Sequence, residues 1–112
     1  MLICPSVLAC DFTDLKYQVE EITKYADWLH YDVMDGHFVP NISFGPAILK
    51  DIKKISDLFM DVHLMVSDPE YYAKVFYDAG ADLITFHLEA LKGEDEALNL
   101  IRKIQLMGIK AG

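Results

Sequence analysis

Three segments of this chain alternate in the same unusual way. Residues 27–34 place Leu29, Tyr31 and Val33 on one side and His30, Asp32 and Met34 on the other. Residues 58–65 set Met60, Val62 and Leu64 against Asp61, His63 and Met65, and residues 82–88 set Ile84, Phe86 and Leu88 against Thr85, His87 and Glu89. A period of two is that of a β-strand, so each segment has one wholly apolar face and one polar face. The apolar face can pack on helices. The polar groups crowd toward the carboxyl end and must look at something else. An open doubly wound sheet buries both faces and would not tolerate His and Asp on three successive strands. A (β/α)₈ barrel does, because its inward face at the carboxyl end carries the site.

The intervening sequence fits. Residues 2–8 read as a strand. Residues 13–25 read as a helix with the stripe Leu15, Val19, Ile22 and Ala26. A helix from Pro46 carries Ile48, Ile52 and Ile55. The next has Asp68 as N-cap, Pro69 at the first position, Tyr72, Val75, Phe76 and Ala79 as its stripe, and Gly80 as its end. Residues 94–107 form a fourth helix, and Ile109–Gly112 reads as the opening of a fifth strand. Strand and helix in alternation mean βα units and a parallel sheet. The expected fold is therefore α/β, in the TIM-barrel class. A whole barrel takes about 200–250 residues; the 112 residues here hold four βα units and a stub, a single domain (residues 1–112) read as the N-terminal half of a barrel cut early in strand five. Raw strand edges and an uncovered inner face lead to an expectation of self-association into a homo-oligomer.

Charge narrows the partners. Eighteen acids against ten bases give a net charge of -8, the wrong sign for a phosphate backbone, so no nucleic acid is expected. No apolar run approaches the ~20 residues of a membrane span, and the start lacks the basic and apolar regions of a signal peptide. No membrane partner is expected. Cys4 and Cys10 match no metal-knuckle or redox spacing and read as reduced thiols of a cytoplasmic protein. No nucleotide-binding, serine-nucleophile or zincin motif is present.

The chemistry-bearing candidates are His30, Asp32 and His63. Two imidazoles and a carboxylate from adjacent strands can hold one divalent ion, and the carboxylate can accept a proton. A hydrogen-bonded His–Asp pair with no ion is the other reading of the same residues. Met34 and Met65 are core filler or the wall of a site. His87 and Glu89 are partners of the ligating groups, further ligands, or a structural hydrogen-bonded pair, the last being favoured. Ser6 touches a ligand or caps a turn, and His37 is a solvated loop residue.

Cys4-Pro-Ser6-Val-Leu-Ala, His30-Tyr-Asp-Val-Met-Asp-Gly-His-Phe-Val-Pro-Asn41, Phe44-Gly-Pro46, Asp61-Val-His-Leu-Met65 and Thr85-Phe-His-Leu-Glu-Ala90 occur in one order over essentially the whole chain. In that order and spacing the chain resembles the ribulose-phosphate 3-epimerases. The resemblance implies a (β/α)₈ barrel that interconverts D-ribulose 5-phosphate and D-xylulose 5-phosphate, small-molecule sugar phosphates of the pentose phosphate pathway. It implies one divalent metal ion (zinc, iron, manganese or cobalt) held in this half by His30, Asp32 and His63. Asp32 would be one of two catalytic aspartates. Ser6 and His63 would contact substrate, and Met34 and Met65 would line the pocket. One aspartate would abstract the C3 proton to give an enediolate, and the other would reprotonate the opposite face. The second aspartate, the fourth metal ligand and the phosphate site are expected beyond residue 112, so these residues alone are expected to be inactive. Two alternatives stand beside this: an allulose-6-phosphate 3-epimerase, and a non-catalytic, self-associating half-barrel. A metal-binding module without catalysis is a third, disfavoured because three ligands lacking the fourth make a weaker site.

Overall fold

A computed structural model describes all of residues 1–112. Helices α1 (Leu15–Ile22), α2 (Pro46–Lys53), α3 (Pro69–Ala79) and α4 (Glu94–Leu106) alternate with strands β1 (Trp28–Met34), β2 (Phe59–Met65), β3 (Leu83–Phe86) and β4 (Lys110–Ala111). The strands make one parallel sheet in the order β1-β2-β3-β4. Parallel neighbours need a long crossover, and each crossover here is a helix.

Burial follows the alternation residue by residue. Leu29, Tyr31, Val33, Met60, Val62, Leu64 and Ile84 are buried, and the residues between them are only half-buried. The buried set packs on Val19, Leu49, Ile52, Ala73, Phe76, Ala79, Leu100 and Ile104 from the helices in a single core. The helices therefore cover one face of the sheet, and the His- and Asp-bearing face is the other. Helix α3 shows its sequence signals plainly. The Asp68 carboxylate accepts from the Tyr71 N–H at 3.1 Å, and Pro69 opens the helix where its missing N–H costs nothing. Gly80, at φ +109°, closes it, with the Ala81 N–H returning to the Phe76 carbonyl at 3.0 Å.

Four details depart from the sequence reading. Residues 2–8 are no regular strand. The Asp27 and Trp28 N–H groups donate to the Ile3 carbonyl and the His30 N–H to the Pro5 carbonyl, with a bridge between Ser6 and His30. Pro5 has no N–H to return, and the Ile3 N–H goes to the Asp27 carboxylate instead, so the ladder is one-sided. Helix α1 is shorter than residues 13–25 because Phe12–Asp14 winds as a 3₁₀ turn capped by the Asp11 carboxylate. Strand β3 ends at Phe86, and Leu88–Ala90 is a second such turn, which takes Leu88 and Glu89 off the strand faces. In α2 the buried pair is Leu49 and Ile52, with Ile48 and Ile55 at the margin, and in α3 Ala73 is buried where Tyr72 and Val75 are only partly covered.

Tyr31 is the largest fully buried side chain, and its hydroxyl donates to the Gly45 carbonyl at 2.7 Å, tying β1 to the entry of α2. Removing the hydroxyl keeps the packing but leaves that carbonyl without its donor. Tyr31→Phe is expected to cost about 1–2 kcal/mol in urea denaturation; an unchanged midpoint would show that the tie contributes nothing.

Candidate active site

Parallel, in-register pairing builds the site. His30 lies opposite Asp61, Asp32 opposite His63, and Met34 opposite Met65. The order His-Tyr-Asp on β1 thus meets Asp-Val-His on β2, and every imidazole faces a carboxylate. His63 also lies opposite Thr85 of β3.

Asp32 is the hub. Its Oδ1 is 3.0 Å from His30 Nε2 and 3.0 Å from His63 Nδ1, and its Oδ2 accepts from the Ser6 hydroxyl at 2.8 Å. Its side chain is only 14% exposed. Burial alone would raise its pKa, but the bonds from Ser6, His63 and His30 outweigh that and hold the carboxyl below its ordinary value. Below Asp32, His30 Nδ1 is 2.8 Å from Asp61 Oδ2. Both ring nitrogens of His30 face carboxylate oxygens, which when ionised can only accept. Satisfying both takes an imidazolium. Burial pulls the His30 pKa down, yet the bond to Asp61 and the charges of Asp32 and Asp61 leave it raised. On the other side, His63 Nε2 is 2.8 Å from His87 Nε2. An ionised Asp32 can only accept, so His63 Nδ1 carries the proton of that bond, and one of the two Nε2 atoms donates to the other.

The surrounding loops fix these positions. The Ser43 hydroxyl donates to the Asp32 carbonyl at 2.6 Å and accepts from the Met34 N–H at 3.0 Å. Asp35 accepts from the N–H groups of His37, Phe38 and Ser67, which pins the loop after β1 to the loop after β2. Those donors, Ser67 first, overcome the opposing effect of burial and lower its pKa. The Phe38 ring then sits 5.1 Å from that of His87.

Each sequence candidate thus has a place. Ser6, His30, Asp32 and His63 form one bonded cluster, with half-buried Met34 and Met65 beyond it at the carboxyl end. His87 joins through His63. Glu89 is exposed, with its carboxylate 3.8 Å from His87, and exposed His37 turns back on the Asp35 carbonyl. The sequence reading left Asp61 and Ser43 out of the candidate site. Aligning the two strands at their Asp and His residues would have found Asp61; Ser43 lies on a loop and leaves no periodic signal.

The donor set suits a divalent ion. One ligand atom from each of His30, Asp32 and His63 lies within 4.8 Å of the others. Ligands about 2.1 Å from a common ion stand roughly 3.0–3.4 Å apart, close to the 3.0 Å nitrogen–oxygen separations at Asp32 Oδ1. The outer partners of ligating imidazoles are also in place, with Asp61 on His30 and His87 on His63.

Residues 2–112 match the family model described as the ribulose-phosphate 3 epimerase family. The chain belongs to this family. It is 42% identical to the ribulose-phosphate 3-epimerase of Bacillus subtilis (strain 168) over 111 residues, covering 98% of this chain and 50% of that protein. The enzyme of the same name from Mycobacterium tuberculosis (strain ATCC 25618 / H37Rv) is 43% identical, over 99% of this chain and 47% of its own. A rice relative, the cytoplasmic isoform, is 39% identical over 98% of this chain and 48% of its own. The chain spans about half the length of these curated relatives. Among solved structures, orotidine 5'-monophosphate decarboxylase from Methanocaldococcus jannaschii superposes with a TM-score of 0.73 at 21% identity, covering 98% of this chain and 50% of that one. That likeness concerns the fold, and it places the four βα units and fifth-strand start as half of a (β/α)₈ barrel.

The pairing of His30 has a definite pH dependence. Because its folded-state pKa is raised above 6.5, its bonds stabilise the ion-free protein fully below that pH and are lost as pH rises through the raised value. Asp32 works in the opposite sense: its contribution is present above 3.8 and lost as pH falls through the lowered value. An NMR titration of ion-free protein is expected to show His30 titrating above 6.5, and Asp61→Asn is expected to move it down. A His30 pKa indifferent to Asp61→Asn would refute the imidazolium assignment.

Proposed function

We propose that these residues are the metal-binding, base-bearing half of a ribulose-phosphate 3-epimerase. The reading is carried by the cluster of Ser6, His30, Asp32 and His63 on the inward face of the sheet, in a chain belonging to that family. On this reading His30 Nε2, Asp32 Oδ1 and His63 Nδ1 hold the ion, which is zinc, iron, manganese or cobalt. When bound, the ion supplies electrostatic stabilisation of the negative charge that develops on the sugar oxygens during proton transfer.

The protein's own groups divide the remaining work. Asp32 Oδ1 is engaged by two imidazoles, so Oδ2, held only by the Ser6 hydroxyl, is the oxygen able to take the C3 proton. A substrate entering from the open face displaces that hydroxyl, which then turns to bind the substrate. His63 stays fixed by His87, and Met34 and Met65 wall the carboxyl end against water. Inversion at C3 needs a second proton carrier on the opposite face, which on this reading lies outside residues 1–112. Alone, these residues are proposed not to epimerise, and to hold the ion less tightly than a site completed by the fourth ligand. The proposed setting is a cytoplasmic homo-oligomer acting on a small sugar phosphate. No helix is long and apolar enough to cross a membrane.

The test joins residues 1–112 to the remaining half of the Bacillus subtilis enzyme. The folded fusion is expected to interconvert the two pentulose phosphates. Asp32→Asn in it is expected to lower kcat by on the order of 10³-fold or more, because the variant loses the proton acceptor and one ligand of the ion together. Wild-type turnover by the Asn variant would remove Asp32 from the reaction. Turnover by residues 1–112 alone, at the fusion's rate, would remove the need for an opposite acid.

A further inference from the structure

We propose that Cys4, His30 and Asp61 form a second cation site, one with a sulfur ligand, suited to a borderline or soft divalent ion such as zinc, cobalt or cadmium. The three donors lie within 4.8 Å of one another. Asp61 Oδ2 stands 2.8 Å from His30 Nδ1 and 3.9 Å from Cys4 Sγ. The backbone explains how they meet. The His30 N–H donates to the Pro5 carbonyl, and the segment before it runs extended along β1. Alternation then sends Ser6 toward Asp32 and Cys4 toward Asp61. The inward face thus carries two rows of donors, Ser6–Asp32–His63 and Cys4–His30–Asp61, with His30 reaching into both.

Hydrogen bonding alone leaves the lower row poorly matched. A thiol donates weakly, and 3.9 Å is a long contact even for sulfur. Asp61 has no other side-chain partner than Cys4 and His30. Two carboxylates share the single imidazole of His30, so the cluster is net negative even when that ring is charged. Once an ion displaces the Cys4 proton, against a thiol pKa that burial and the Asp61 charge hold up, the donors are thiolate, imidazole and carboxylate, three of the ligand types that four-coordinate zinc and its neighbours take, with one position left open. Cys4 is exposed in residues 1–112, so its sulfur is open to an added ion there.

The shared imidazole makes the two sites alternatives. Neutral His30 has one N–H. With an ion on Nε2, the N–H at Nδ1 goes to Asp61; with an ion on Nδ1, the N–H at Nε2 goes to Asp32. One ion per chain is the rule unless the ring loses both protons. This exclusivity rests on the metal reading of His30, Asp32 and His63, whereas the sulfur site does not.

Cobalt(II), added alone to the reduced protein, separates the two. Only a sulfur ligand gives a thiolate-to-cobalt charge-transfer band in the near ultraviolet. The band is expected in the unsubstituted chain, in Cys10→Ser and in Asp32→Asn, and is expected to vanish in Cys4→Ser, with cobalt saturating at one equivalent. Cys4 is exposed, and far-ultraviolet circular dichroism checks that its Ser variant keeps the fold. Absence of the band in the unsubstituted chain, or its survival in Cys4→Ser, would overturn the sulfur site. Cobalt d–d absorption that persists in Cys4→Ser and disappears when Asp32→Asn is added to Cys4→Ser reports the upper site independently, so either site can fail without the other. Saturation at two equivalents would overturn the exclusivity.

Discussion

The register between β1 and β2 is the constraint on which the rest of this structure depends. Matched at Trp28 and Phe59, the two strands set His30 beside Asp61 and Asp32 beside His63. A slip of one residue would turn either strand's imidazole and carboxylate into the helical core and its apolar residues outward. The penalty for that is large on both counts, since buried charge must be paired and exposed apolar surface forfeits its transfer free energy. The core therefore enforces the site. Tyr31, Val62, Leu64 and Phe76 do no chemistry, yet their burial determines which face His30 and His63 occupy.

The polar face is layered along the strands. At the amino end Trp28 and Phe59 stack with their ring centres 4.3 Å apart, and the Lys110 ammonium lies over both rings. The carboxylates and imidazoles come next, and the methionine pair lies at the carboxyl end. Aromatic surface closes one end of the row and thioethers the other, so the charged groups sit between walls of lower polarity. That placement strengthens each bond within the cluster. It also explains why Asp32, though only partly buried, holds its charge against desolvation: three donors converge on it.

Sheet and helix order were legible because burial here obeys the period of each element. Alternation in residues 28–34 and 59–65 is unbroken, and the caps of α3 stand where Asp68, Pro69 and Gly80 require them. The misreadings have local causes. Residues 2–8 have strand composition, but Pro5 removes a ladder donor and Asp27 captures another. Leu88 and Glu89 continue the alternation on paper, while the chain has already turned into a 3₁₀ segment. Within the site, His30, Asp32 and His63 were visible as polar residues on an inward face. The share of Asp61 emerges only when the strands are set in register, which puts it opposite His30.

The depressed pKa of Asp32 carries a consequence for any proton transfer on this scaffold. The bonds that keep the carboxylate ionised also make it a weak base, since whatever favours the charged form disfavours the protonated one. Three donors hold it, and two of them, His30 and His63, are themselves fixed by Asp61 and His87 and cannot swing away cheaply. Only Ser6, on a short 3₁₀ turn at the open edge of the sheet, can release its bond without disturbing the register. Basicity at Asp32 is therefore adjusted at one oxygen by one hydroxyl. On the proposed epimerase reading, the larger share of the barrier is then lowered on the side of the carbon acid, by groups that stabilise the charge left when its proton departs.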